Sequence, residues 1–272
     1  MARAQRPGRG GGVAAIGAAS DLARLIPPLL EAARAAGTAI LEHYHPGVAR
    51  SDKADGSPVT AADHAAEAVI LSALASLDPA TPVLAEEQFA AGKAPKVSTG
   101  RFWLVDPLDG TKEFLKGNGE FSVNIGLVEN RAPILGVLLA PASGEMFWGC
   151  GGRAFTRKGD GPERPIAARA APKEGLTVAA SRSHDSRDKL NAFLAGKKIA
   201  AVKATGSAIK FCRVAAGEAD LYPRLGPTME WDSAAGHAIL LAAGGSVATL
   251  DGGPLLYAKP GFLNPPYVAR GR

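Results

Sequence analysis

The chain has 272 residues, of which 46% are hydrophobic and 21% charged, and a formal net charge of +5. That length is enough for one large domain or two closely packed ones around a real core, and the composition is that of an ordinary globular protein. No apolar run approaches the roughly 20 residues of a membrane span. Arg3, Arg6 and Arg9 leave 28 basic against 26 acidic residues elsewhere, with no basic stripe interleaved with aromatics to mark a nucleic-acid surface.

Residues 1–20 read as a basic, disordered tail, because Met1 to Gly12 is rich in Arg and Gly. Val13 to Ala19 is too short and alanine-rich for a secretory core. Leu22 to Tyr44 has helical periodicity, and Pro27 and Pro28 are expected to start its main body, since proline fits a first helical turn. Thr60 opens a second helix, with Asp63 three residues on in the place of a capping-box acid. Ala66, Val69, Ile70, Ala73, Leu74 and Leu77 form its apolar stripe, and Asp78-Pro79 ends it.

Strands follow. Val83 to Ala85 and Phe102 to Val105 are short apolar runs, and Ser122 to Val128 with Ile134 to Ala140 flank a turn at Asn130 as a hairpin. Glu145 to Cys150 is a further strand. Gly151 to Lys173, rich in Gly, Pro and Arg, is the best domain boundary, which divides the chain into 21–155 and 156–272. Beyond it, Leu176 to Ala180 and Lys198 to Lys203 read as strands with a helix between. Ser207 to Ala216 reads as helix, Ala219 to Tyr222 as strand, and Asp232 to Ala243 as a helix stopped by Gly244-Gly245. The class is α/β: an α+β N-terminal part, then alternating β and α. Cys150 and Cys212 have no metal spacing and suit a reducing cytosol as small core residues.

Chemistry concentrates in Asp106-Pro-Leu-Asp109-Gly110-Thr111, directly behind a buried strand. Two carboxylates so close repel each other in a low-dielectric pocket, and a hard divalent cation is the natural remedy. A surface turn explains the same residues equally well. Two further apolar elements meet acids, at Glu86-Glu87 and at Asp232, and ends of strands and starts of helices are where α/β proteins build sites. Taken singly, Glu86 fits a solvated loop and Asp232 a favourable helix N-terminus.

Asp106-Pro-Leu-Asp109-Gly-Thr111 and Trp231-Asp232-x-Ala-Ala-Gly236 resemble the two signatures of the magnesium-dependent, lithium-sensitive phosphatase superfamily that includes inositol monophosphatase. Finer motifs resemble its bacterial 3′(2′),5′-bisphosphate nucleotidase branch, the CysQ type. They are Lys53-x-Asp55-Gly-Ser57-Pro-Val-Thr60-Ala-Ala-Asp63, Asp109-Gly-Thr-Lys112-Glu-Phe, Asn118-Gly-Glu-Phe-Ser-Val-Asn124-Ile, Gly206-Ser-Ala-Ile-Lys210-Phe-Cys, Ala219-Asp-Leu-Tyr-Pro-Arg224-Leu-Gly-Pro-Thr228 and Phe262-Leu-Asn-Pro265. The likeness runs from about residue 22 to about residue 270.

The resemblance implies a layered αβαβα sandwich with the site between two subdomains. It implies hydrolysis of the 3′-phosphate of 3′-phosphoadenosine 5′-phosphate to AMP, with 3′-phosphoadenylyl sulfate as a second substrate and a role in sulfur assimilation. It assigns two or three Mg²⁺ ions per site to Glu86, Asp106, the Leu108 carbonyl, Asp109 and Asp232. It gives the attacking water to Asp63 and Thr111, and the substrate to Glu86, Leu108, Asp109, Gly110, Thr111, His184, Ser207, Lys210, Arg224 and Asp232. Ala85 and Ala208 depart from it, each standing where relatives often carry Ser. The expected partner is a nucleotide bisphosphate and no nucleic acid. The protein is expected as a monomer or homodimer in the cytoplasm, with a peripheral position on the inner membrane face as a variant. The competing readings are an inositol monophosphatase or other small phosphomonoesterase, and a non-catalytic nucleotide-binding protein.

Overall fold

The computed structural model describes residues 19–45, 47, 51–52, 58–97, 100–181 and 187–272. The Arg-rich start, Lys53 to Ser57 and His184 lie outside them. Helix α1 (Ala19–Glu42) is followed by a short antiparallel pair, β1 (Ser51–Asp52) and β2 (Pro58–Val59), and by α2 (Ala61–Leu77). Leu29, Ala33, Ala36 and Ile40 bury the inner stripe of α1, one residue per turn. Pro27 and Pro28 lie inside α1 rather than at its start, a correction to the expected boundary. Both prolines are exposed, as are Ala23 and Arg24, whose carbonyls lose their helical donors and face solvent.

The N-terminus of α2 is fixed as expected. Thr60 Oγ1 accepts the Ala62 N–H at 3.2 Å, and Asp63 Oδ2 accepts the Thr60 N–H at 2.7 Å. Then come β3 (Val83–Ala85), α3 (Glu86–Ala90), β4 (Arg101–Asp109), α4 (Thr111–Leu115), β5 (Ser122–Glu129), β6 (Ala132–Ala140), β7 (Glu145–Cys150), β8 (Arg153–Lys158) and β9 (Arg164–Ile166). Strands β3 to β9 form one seven-stranded sheet in sequence order, with only β3 and β4 parallel. Asn130 and Arg131 both take positive φ in the β5–β6 turn, as a tight hairpin requires. The stretch read as a boundary therefore carries β8 and β9, which hydrogen bond onto the same sheet, so a division between sheets falls after Ile166 rather than at 155.

The chain continues with β10 (Leu176–Ala180), α5 (Arg187–Leu194), β11 (Ile199–Ala204), α6 (Ile209–Ala215), β12 (Leu221–Arg224), β13 (Thr228–Met229), α7 (Trp231–Ala242), β14 (Ser246–Thr249), β15 (Leu263–Asn264) and β16 (Tyr267–Arg270). The second sheet runs β11-β10-β12-β16-β14. Alternation along the strands sorts residues between layers. Trp103 and Val105 face α1 and α2, while Phe102 and Leu104 face Trp231 and Ala234 of α7. Helices α6 and α7 lie between the sheets, and Phe193 and Leu194 of α5 cover the outer face of the second. The order is α1/α2, sheet, α6/α7, sheet, α5, the expected αβαβα sandwich.

One detail of packing places the site. Gly126, Gly136 and Gly149 stand in register on β5, β6 and β7 and form a furrow across the sheet. Helix α7 lies in it with its alanine face down. A Cβ on Gly136 would stand 2.2 Å from the Ala235 carbonyl oxygen, and one on Gly126 2.9 Å from the Ala234 Cβ. The missing side chains let the helix approach closely enough to deliver Asp232 to the end of β4.

Candidate metal and phosphate site

Strand β4, the starts of α3, α4, α6 and α7, and strands β12 and β13 converge on a cavity of about 410 Å³. Strand β4 supplies Asp106, Leu108 and Asp109. Its pairing with β5 slips between Asp106↔Asn124 and Asp109↔Ser122, so one extra residue bulges and both acids line the cavity. The Leu108 N–H donates to Asp106 Oδ1 at 3.1 Å and fixes that bulge. Gly110, at φ +93°, makes the left-handed turn into α4. Tyr44, Phe114 and Phe121 pack ring to ring, with centroids 5.0–5.3 Å apart, and seat that short helix.

Glu86 opens α3, and Asp232 sits in the first turn of α7. Carboxylate oxygens of Glu86, Asp106 and Asp232 all lie within 4.8 Å of one another. Burial, then the charges of Glu86, Asp109 and Asp232, hold the Asp106 carboxyl well above the usual carboxylate range. Burial and Asp232 push Asp109 up to about 7, against the pull of Lys210, Arg224 and the Ala208 N–H that donates to it. An all-oxygen donor set with this mutual repulsion fits a hard divalent cation, whose charge makes all the carboxylates favourable at once. Asp109 lies beside this cluster, bonded to the loop before α6.

Asp63, buried beneath Thr111, has one oxygen on the cap of α2 and the other 3.4 Å from Thr111 Oγ1. Thr111 Oγ1 also lies 3.3 Å from the Leu108 carbonyl. The acid thus both caps the helix and touches the threonine. On the opposite wall, Ser207 takes φ +47°, and the buried Lys210 ammonium donates to the Thr205 and Ser207 carbonyls, at 3.2 Å for Thr205. Arg224 donates to the Pro227 carbonyl at 2.8 Å, while its buried Nε has no hydrogen-bond acceptor. Asp232 Oδ2 accepts the Met229 N–H at 2.9 Å and the Thr228 hydroxyl.

Sequence reasoning gave no role to Thr228, which aims Asp232, or to Glu67, a buried acid on α2. Glu67 was legible as a charge falling on the inward face between Ala66 and Ile70. Trp103 is wholly buried, with its indole N–H on Asp78 at 3.2 Å, and Trp231 packs on Phe89; both serve packing, as expected. Of the described histidines, His237 is buried against Tyr257 Oη at 3.0 Å, far from a ligand pattern. Cys212 is a core residue whose thiol burial pushes up, and Cys150 is half-buried.

The sequence matches the inositol monophosphatase family over residues 21–270. It is 44% identical to the 3′(2′),5′-bisphosphate nucleotidases CysQ of Salmonella typhimurium and Escherichia coli, over 89% of this chain and 97% of each of theirs. Among solved structures, CysQ from Bacteroides thetaiotaomicron, a bacterial member of that family, superposes with a TM-score of 0.74 at 37% identity, covering 90% of this chain and 96% of that one. An inositol monophosphatase from Anabaena also gives 0.74, at 29% identity over 92% and 91% of the two chains.

Proposed function

The chain belongs to the inositol monophosphatase family, and from that premise we propose that it is a 3′(2′),5′-bisphosphate nucleotidase. It removes the 3′-phosphate of adenosine 3′,5′-bisphosphate to leave AMP, and accepts the sulfated relative, 3′-phosphoadenylyl sulfate, as a second substrate in sulfur assimilation. The observation that carries the reading is the meeting of Glu86, Asp106 and Asp232, from three separate elements, within 4.8 Å beside a cavity large enough for a nucleotide.

Glu86, Asp106, the Leu108 carbonyl, Asp109 and Asp232 are the groups that would hold two or three Mg²⁺ ions. Bound there, Mg²⁺ neutralises phosphate oxygens and lowers the pKa of water. The chain's own residues do the rest. Thr111 Oγ1 orients the attacking water through a lone pair, or takes its proton while passing its own hydroxyl proton to Asp63 Oδ1. Gly110 and Thr111 offer backbone N–H groups to the phosphate at the turn into α4. Asp232, held by Thr228 and Met229, stands on the side of the leaving 3′-oxygen. Ser207 and Lys210 line the wall that receives the rest of the nucleotide. Arg224, whose guanidinium lines the cavity, is the anchor for the second phosphate, since arginine suits phosphate recognition.

Among the described residues no helix is long and apolar enough to cross a membrane. On this reading the protein is cytoplasmic, a monomer or homodimer, with a peripheral position on the inner membrane face as a variant.

A panel of adenosine 3′,5′-bisphosphate, 3′-phosphoadenylyl sulfate and inositol monophosphate, assayed for phosphate release with Mg²⁺ and Li⁺ titrations, tests the proposal. The bisphosphate should be the best substrate, activated by the first ion and inhibited by the second. Arg224→Gln should raise its KM by about 10- to 100-fold, the worth of a charged hydrogen bond, and leave inositol monophosphate unaffected. Inositol monophosphate as the only good substrate would reject the assignment.

A further inference from the structure

Helix α3 begins with Glu86 and lacks a cap of its own. The residue at its N-cap is Ala85, extended at φ −111° and ψ 147°, whose methyl group accepts no hydrogen bond. The first amides of a helix need acceptors, and buried ones more than most. Here the acceptor comes from another helix. Glu67 of α2, only 5% exposed, takes the Glu87 N–H on Oε2 at 2.8 Å, and the Gln88 N–H stabilises the same carboxylate. A buried carboxylate with two backbone donors is held firmly.

Glu67 lies one helical turn beyond Asp63, so both acids project from the same face of α2. Asp63 reaches Thr111 at the end of β4, and Glu67 reaches the residue after Glu86. One rigid helix therefore sets the spacing between the two sides of the cavity.

We propose that Glu67 is a positioning residue that caps α3 in place of the N-cap side chain and thereby aims the Glu86 carboxylate at Asp106 and Asp232. The inference rests on the reading of Glu86 as a cation ligand. It makes a reciprocal demand on Ala85: a serine there would present an oxygen to the same amides that Glu67 holds.

The test is Mn²⁺ binding to metal-free protein by calorimetry, with melting temperatures and hydrogen exchange at Glu87 and Gln88 alongside. Glu67→Ala should weaken Mn²⁺ by about tenfold, the usual loss when a ligand's support is removed, with faster exchange at those two amides. Ala85→Ser should stay within about twofold of the wild type on its own, because the amides are already satisfied. Added to Glu67→Ala, it should recover most of the lost affinity. A general loss of stability would not be repaired so locally. If Glu67→Ala fails to fold, Glu67→Asp, whose shortened side chain withdraws the acceptor, should show the same Mn²⁺ defect and the same rescue. Wild-type affinity in the folded Glu67 variant, or a defect that Ala85→Ser leaves untouched, would overturn the inference. Glu86→Gln separates the two levels: if it also binds Mn²⁺ normally, the ligand reading itself fails.

Discussion

The glycine furrow under α7 gives the sharpest test of how the fold makes the site. In Gly136→Ala the new Cβ would stand 2.2 Å from the Ala235 carbonyl oxygen, with the Ala235 C and Cα at 2.9 and 3.0 Å. Carbon and oxygen tolerate about 3.3 Å, so the helix must lift by roughly 1 Å, and every obstacle is backbone. Overpacking of this kind costs about 1–3 kcal/mol, which in a chain of this size lowers Tm by about 2–10 °C. The same lift carries Asp232 away from Glu86 and Asp106, and a misplacement of about 1 Å weakens a coordinated arrangement severely, so Mn²⁺ affinity should fall about tenfold or more. Gly37→Ala is the control. Its Cβ would clash with the tip of Leu139 alone, at 2.6 Å, which can rotate away, while Pro141 at 3.5 Å is an ordinary contact, and alanine favours the helix by about 1 kcal/mol. That variant should melt near the wild type and bind Mn²⁺ normally. Scanning fluorimetry and calorimetry read both quantities. A Gly136→Ala protein with unchanged Mn²⁺ affinity would refute the claim that the furrow sets the position of Asp232.

Asp63→Asn should lower turnover by about 100-fold or more, the worth of a misplaced general base system, while losing only the ~1 kcal/mol of a weakened cap; turnover near normal would leave capping as its whole role. Asp106→Asn should act with opposite signs on the two states of the protein. Because the folded carboxyl titrates well above its ordinary 3.8, the unliganded fold binds more protons than the unfolded chain and loses stability as pH rises. The asparagine variant should then melt higher than the wild type at pH 8 without metal, yet gain nothing from Mg²⁺; a lower melting point without metal would contradict the repulsion argument. His237 supplies the reverse case. Burial lowers its pKa from 6.5 to about 3, so the unfolded chain takes up its proton first and stability is lost as pH falls below 6.5. The loss amounts to about 2 kcal/mol at pH 5. His237→Gln should flatten that part of the profile in urea melts at pH 5 and 8, and an unchanged slope would refute it.

Much of this protein is determined by the order of its residues alone. The capping box at Thr60 and Asp63, the alternation that splits β4 between two cores, and the hairpin at Asn130 are local physics, set by neighbours within a turn or a strand. The carboxylates could be named for the same reason, since Glu86 and Asp232 stand at helix starts, Asp109 at a strand end and Asp106 directly behind an apolar run. Their meeting could not. Glu86 stands beside Asp106 because β3 pairs parallel with β4, Ala85 opposite Val105, and Asp232 joins them because three glycines on three other strands let α7 come close. Sequence pattern also misplaced the prolines of α1, which are tolerated inside it because they face water, and missed the strands β8 and β9, short Arg-containing segments between Gly-rich turns that pair because a sheet edge is open to them. Asp109 shows the division most clearly. Its place at the end of a buried strand is written in the chain, but its elevated pKa comes from burial and from Asp232, and its bond to the Ala208 amide from a residue 99 positions away. Short-range forces choose the elements, and the distance between charges, which decides the chemistry, exists only after the layers close.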